Sequence, residues 1–189
     1  MKQPAVDTNL PLLCYEGKIV VVTGPLRLWR ALQEIKHHRI AGFDTETRPV
    51  FVKGKRNKVA LLQLALPRKV FLIRLTHTGI TDALKDYLED DQQLKVGVAL
   101  RDDIKALQRL RSFNPGGFVE LTTLTRPAGY TGEGIRTLAA QILGGRISKS
   151  AQTSNWEAPT LTEKQLRYAA TDAWVCLEMY NRLQKEKKA

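Results

Sequence analysis

The hydrophobic positions of this chain sort into a strand-rich first part and a helix-rich second part. A β-branched run from Lys18 to Thr23, opened by Gly17, predicts a strand; Pro25 then starts a helix whose apolar positions Leu28, Leu32 and Ile35 recur at helical spacing. The runs Ile40 to Thr45, Val59 to Leu66 and Val70 to Leu75 predict three strands in succession, the last two separated by Pro67-Arg68-Lys69. Three such strands suggest an antiparallel meander. Beyond them the pattern alternates: a helix from Thr81 to Leu88, a strand from Leu94 to Ala99, a helix from Asp103 to about Leu110, and a short strand or turn near Val119 to Leu121. Helices from Gly134 to Leu143 and from Thr162 to about Lys185 follow, separated by a Gly/Ser-rich connection. Strands first and helices later imply an α/β layer architecture. No linker divides it, so a single domain over residues 1–189 is expected, with a core at about 17–183 between an N-terminal extension and a basic C-terminal tail.

At 189 residues the chain is long enough to bury a core of its own. Thirty Lys plus Arg against nineteen Asp plus Glu leave a net charge of +11. The excess is spread over Lys53, Lys55, Arg56, Lys58, Arg109, Arg111, Arg146 and Lys149 as well as the tail Lys185-Glu186-Lys187-Lys188. Such charge suggests a polyanionic partner, though a basic surface also serves plain solubility. Cys14 and Cys176 stand far apart without a CxxC partner, which points away from zinc and disulfide frameworks and towards a reducing, cytoplasmic setting. No apolar stretch approaches bilayer-spanning length, and the segment from Leu10 to Cys14 is short and interrupted by Pro11, so neither membrane insertion nor secretion is expected.

Candidate chemistry starts at Asp44-Thr45-Glu46, directly behind the apolar run Ile40-Ala41-Gly42-Phe43. Residues two apart in a strand point to one side, so Asp44 and Glu46 converge, and two converged carboxylates favour a divalent counter-cation. Taken alone, the pair also fits a solvated turn or a helix start. Tyr168 and Asp172 lie four apart in the last predicted helix, one turn from each other on one face, among Leu166, Ala169, Ala170, Ala173, Leu177 and Tyr180. An acid in such a setting needs a reason. It is a cation ligand, a hydrogen-bonded core Asp, or one paired with Arg136 or Arg167. Arg101-Asp102-Asp103-Ile104 supplies a further acid, but one of the two is also a good helix N-cap.

Together these residues resemble the DEDD 3′–5′ exonucleases, in the tyrosine-bearing subtype that includes ribonuclease D and the exonuclease domain of the Werner syndrome protein. Phe43-Asp44-Thr45-Glu46 is similar to the first family motif, Val96-Gly97-Val98 with Asp103 to the second, and Tyr168-Ala169-Ala170-Thr171-Asp172 to the third. Ser154-Asn155-Trp156 and Leu161-Thr162-Glu163 extend the likeness, which runs from about Gly17 to Tyr180. The sister subtype carries a histidine five residues before its final Asp, whereas Arg167 and Tyr168 stand here. The resemblance implies a ribonuclease H-like three-layer α/β fold, with a mixed five- to six-stranded β-sheet flanked by helices. It also implies a metal-dependent 3′–5′ exonuclease that hydrolyses DNA and/or RNA by a two-metal-ion mechanism and releases nucleoside monophosphates. The cofactors implied are two divalent cations, Mg²⁺ or Mn²⁺, on hard oxygen ligands. Asp44 would bridge the two ions, Glu46 and Asp172 would complete the water-activating site, and Asp103 would support the second ion largely through water. Tyr168 would orient the attacking water, since a phenol of ordinary pKa is a poor base at neutral pH. Between the adjacent acids, Asp103 is the better match to the motif, leaving Asp102 as the helix cap.

The partner implied is single-stranded or 3′-ended nucleic acid, read without base specificity. Thr45, Phe51, Lys149 and Trp156 are candidate substrate contacts, with the basic 53–58 loop and Arg146 available to phosphates. For Trp156, a structural anchor with its N–H bonded is a better fit than a stacking surface. Within the nuclease class, ribonuclease D-like RNA processing competes with DNA trimming; an end soon after the third motif favours the stand-alone Werner-like arrangement. A non-catalytic nucleic-acid-binding module is the alternative from another class, and retention of all four acids and the tyrosine argues for catalysis.

Overall fold

The computed structural model describes residues 9–49 and 58–187. The first elements are β1 (Leu12–Leu13), β2 (Lys18–Val22) and α1 (Pro25–Lys36), the last opened by Pro25, whose fixed φ suits the first helical turn. Then come β3 (Ile40–Thr47), β4 (Val59–Leu66), β5 (Lys69–Arg74), α2 (Leu75–Thr78) and α3 (Asp82–Glu89). They are followed by β6 (Leu94–Gly97), α4 (Leu100–Gln108), β7 (Phe118–Glu120) and α5 (Leu121–Thr125). The last are α6 (Ile135–Leu143), β8 (Arg146–Ile147) and α7 (Glu163–Glu186).

Among the described residues, six strands form one mixed sheet in the order β2-β5-β4-β3-β6-β7. β3, β4 and β5 make the expected antiparallel meander, and the remaining neighbours pair in parallel. Every residue of β4 is buried, as its unbroken apolar run requires of a central strand covered on both faces. One face packs Ala41, Phe43, Leu62 and Leu64 against Leu28, Leu32 and Ile35 of α1 and Leu84 and Leu88 of α3. The other packs Ala60, Leu61, Ala65 and Leu72 against Tyr168, Ala169, Ala170 and Ala173 of α7. Two helical layers on a mixed sheet is the three-layer α/β arrangement. α7 begins with a complete capping box, in which Thr162 and Gln165 satisfy each other's backbone N–H groups.

Three local readings change. The strand from residue 94 ends at Gly97 rather than Ala99, and α4 starts at Leu100 rather than Asp103. Ala99 makes the reversal, with φ 61 and ψ 33 in the left-handed region that a non-glycine residue rarely adopts. Asp102 and Asp103 therefore both lie in the first turn of α4, and Asp102 is exposed rather than its cap. The short elements α2, α5 and the parallel pair β1–β8 carry too few residues for a period to register. Among the described residues, no helix is long and apolar enough to cross a membrane.

Candidate active site

Strand alternation separates the residues of β3. Ala41 and Phe43 enter the core beneath α1, while Gly42, Asp44 and Glu46 face α7. At Gly42 the two elements come close enough to exclude a side chain: a Cβ built there would stand 2.0 Å from the carbonyl oxygen of Ala173. That approach brings the residue before Ala173, Asp172, to the two strand acids. One carboxylate oxygen from each of Asp44, Glu46 and Asp172 lies within 4.8 Å of the others. Asp172 is only 4 % exposed, and its Oδ1 has no hydrogen-bond partner among the described residues. Asp44 Oδ1 accepts the Thr45 backbone N–H at 2.8 Å.

Asp103 stands beside this cluster rather than within it. The Thr45 hydroxyl donates to Asp103 Oδ1 at 2.5 Å, tying α4 to β3. Glu120, at the end of β7, accepts the N–H of Leu100 at 2.9 Å and so holds the start of the same helix.

Burial raises all four acids, and repulsion from neighbouring carboxylates adds to it at Asp44, Glu46 and Asp103. Asp44 is raised well above the carboxylate range by burial, then by Asp172 and Asp103. Glu46 is raised by burial and by the same neighbours with Asp44 foremost. Asp103 and Asp172 are raised chiefly by burial, with a hydrogen bond opposing it in each case, from Thr45 and from the Tyr168 phenol respectively. Arg136 also eases Asp172, although its guanidinium donates to Gln152 Oε1 at 2.5 Å. Arg167 is engaged with Glu163 and with the carbonyls of Tyr15 and Gly17, so it is not the partner of Asp172. Tyr168 is 9 % exposed, and burial followed by the charges of Asp172 and Glu46 keeps its phenol protonated. Hard oxygen donors, an unpartnered buried oxygen and repulsion that a cation would cancel fit a divalent metal held by Asp44, Glu46 and Asp172.

The candidate substrate contacts fare differently. Thr45 spends its hydroxyl on Asp103. Lys149 is exposed on the loop after β8, near a cleft of about 190 Å³ lined by Ser148, Ser150, Lys164, Arg167 and Tyr168. Trp156 is fully buried, with its ring centroid 6.0 Å from that of Tyr168, so neither face is open for a base to stack on. Its Nε1 has no partner among the described residues, so the anchor is apolar rather than hydrogen-bonded. Phe51, with Lys53, Lys55 and Arg56, lies outside the described residues.

Residues 19–188 match the family model described as 3′-5′ exonuclease. The chain belongs to this 3′–5′ exonuclease family. Among relatives of the domain, exonuclease 3′-5′ domain-containing protein 2 of Drosophila melanogaster is 38 % identical over 170 residues, covering 86 % of this chain and 29 % of that protein. The mouse bifunctional 3′-5′ exonuclease/ATP-dependent helicase WRN is 31 % identical over 193 residues, covering 97 % of this chain and 14 % of the relative. The exonuclease domain thus spans less than a third of either protein. The crystal structure of the Aedes aegypti Nibbler EXO domain superposes with a TM-score of 0.80 at 25 % identity, covering 100 % of this chain and 93 % of that one.

Two features of the exonuclease site escape the motif reading. Glu120 reads as an ordinary acid at a strand end, and Gly42 as a small residue in a strand. A glycine inside a strand does suggest a close backbone approach, and that signal could have found Gly42.

Proposed function

We propose that this domain removes nucleotides one at a time from the 3′ end of single-stranded or 3′-ended DNA or RNA, by metal-dependent phosphodiester hydrolysis. The observation that carries this reading is the convergence of Asp44, Glu46 and Asp172 oxygens within 4.8 Å of one another in a chain of the 3′–5′ exonuclease family. Divalent cations bound there, two Mg²⁺ or Mn²⁺ ions, supply the Lewis acidity that lowers the pKa of water and offsets charge on the leaving oxygen.

The chain's own residues do the rest. Asp44, Glu46 and Asp172 would hold the cations and the water they activate, and Asp103 would support them from beside the cluster, its carboxylate aimed by the Thr45 hydroxyl. Tyr168, protonated across the neutral range, donates a hydrogen bond and orients water instead of removing its proton. The net charge of +11 and the exposed Lys149 and Lys164 favour a phosphate backbone over any base, which supports sequence-independent trimming. Residues 17–183 act as one catalytic unit. The free thiols Cys14 and Cys176 are consistent with a reducing, cytoplasmic setting.

Matched 3′-ended DNA and RNA oligomers, labelled at the 5′ end, test this reading in Mg²⁺, Mn²⁺ and EDTA. Stepwise shortening in the metal lanes is expected, absent in EDTA and in Asp44→Ala. Failure to shorten either polymer in either metal would sink the enzyme reading in favour of a non-catalytic binding module, and RNA cleavage alone would assign a ribonuclease D-like role.

A further inference from the structure

We infer that Glu120 is a positioning residue for Asp103, acting by capping two helices at once with one carboxylate; its catalytic consequence rests on the nuclease reading above. The parallel pairing of β6 and β7 sets Glu120 level with Gly97, where the chain leaves the sheet to enter α4. The N-cap of that helix, Ala99, has no side-chain oxygen to offer and holds a left-handed backbone. Glu120 takes the cap's place. Its Oε2 accepts the Leu100 N–H at 2.9 Å, and its Oε1 accepts the N–H and hydroxyl of Thr122 at 3.2 and 3.1 Å at the start of α5. The negative charge thereby meets the positive ends of two helices.

Both oxygens of Glu120 are occupied by these donors, so it is suited to holding backbone rather than to binding metal. Core packing anchors α4 through Leu100 and Leu107, with Ile104 and Ala106 against the same core, but the N-cap offers the helix no side-chain hydrogen bond of its own. The turn before it is crowded: a Cβ on Gly97 would meet Leu100 Cδ2 at 2.5 Å and the Phe43 carbonyl at 2.8 Å. Asp103 sits one turn into α4. Its carboxylate is therefore placed from two sides, by the Thr45 hydroxyl from β3 and by Glu120 through the helix start.

Glu120→Ala and Glu120→Gln in the full chain, each alone and combined with Asp103→Asn, test the inference; the Gln variant keeps one acceptor and loses the charge. Mn²⁺ affinity by calorimetry and kcat and KM on a 3′-ended oligomer are measured well below each variant's Tm. Glu120→Ala is expected to weaken Mn²⁺ binding and lower kcat by roughly 10- to 100-fold while KM for the oligomer stays within about threefold, with Glu120→Gln in between. In the Asp103→Asn background the same change should add less than about twofold. A lower Tm with Mn²⁺ affinity and kcat intact would reduce Glu120 to a structural cap, and an equal effect with and without the Asp103 carboxylate would also overturn the assignment. Should Glu120→Ala not fold, Glu120→Gln carries the same cycle. Should the parent chain shorten no 3′ end, the nuclease reading falls while the Mn²⁺ affinities still decide the role of Glu120.

Discussion

Alanine at position 42 would set a methyl group 2.0 Å from the carbonyl oxygen of Ala173 and 3.0 Å from the amide nitrogen of Leu177. Ordinary van der Waals contact starts near 3.4 Å, and both obstructing atoms are backbone, so no rotamer change relieves the clash. α7 has to withdraw from β3 by roughly 1 Å, and it carries Tyr168 and Asp172 with it. The acids that hold the centre together are within 4.8 Å of one another, so a shift of that size opens the cluster. Misplacing reacting groups by about 1 Å costs on the order of 10²-fold in rate. Overpacking costs about 1–3 kcal/mol, and for a chain of this size each kcal/mol moves Tm by about 2–4 °C. Gly42→Ala is therefore expected to lose about 10²-fold in kcat while Tm falls by only about 2–12 °C. Gly79→Ala is the control, because Gly79 has φ +58 with no atom within 4 Å of its would-be Cβ. It should lose about 1–3 kcal/mol from backbone strain and keep its kcat. Initial rates on a labelled 3′-ended oligomer, taken well below both melting temperatures, separate the two effects. If Gly42→Ala turns over within threefold of the parent, the close approach of α7 to β3 does not set the geometry of the centre.

Tyr168→Phe should lower kcat by about 10²-fold with KM and Tm little changed; full turnover at saturating Mg²⁺ or Mn²⁺ would remove the water-orienting role. Asp44→Ala should abolish cleavage yet raise the metal-free Tm by about 2–4 °C per kcal/mol of repulsion relieved, and a lower Tm in EDTA would show that the acid is structural. Asp103 is raised to about 6 and Asp172 to about 7, so between about pH 4 and 7 the folded chain binds protons that the unfolded chain releases. Stability in EDTA should accordingly fall as pH rises through that window, Asp172→Asn should flatten the trend, and added Mn²⁺ should restore stability at pH 8.

Long apolar runs carried most of the fold. β4 spans the residues its sequence pattern implies, α6 and α7 match to within a residue at each end, and the capping box Thr162-x-x-Gln165 fixes where α7 starts. The β6–α4 junction misled because its local chemistry is incomplete. A pair of aspartates offered an obvious N-cap, yet the helix begins earlier, on Ala99, and borrows its cap from a strand neighbour distant in sequence. No reading of nearest residues can see a cap supplied across a sheet.

The same division runs through the site. Asp44 and Glu46 share a face because a strand alternates, and Tyr168 and Asp172 share one because a helix turns, so each pair is legible in its own segment. Their convergence depends on what lies between the segments, on a glycine that lets two backbones nearly touch and on the hydrogen bonds that fix α4. Trp156 shows the converse. An aromatic residue ahead of the third motif fits an anchor or a stacking surface, and only the packed structure decides for the anchor: the ring beside Tyr168 is wholly buried, and its work is to hold the phenol in place. Raised carboxylate pKa values follow from that enclosure, since the packing that excludes water around Asp172 also makes its charge costly until a cation shares it. The acids are legible as chemistry; the strain they impose on the metal-free fold comes from burial, which only the packed structure supplies.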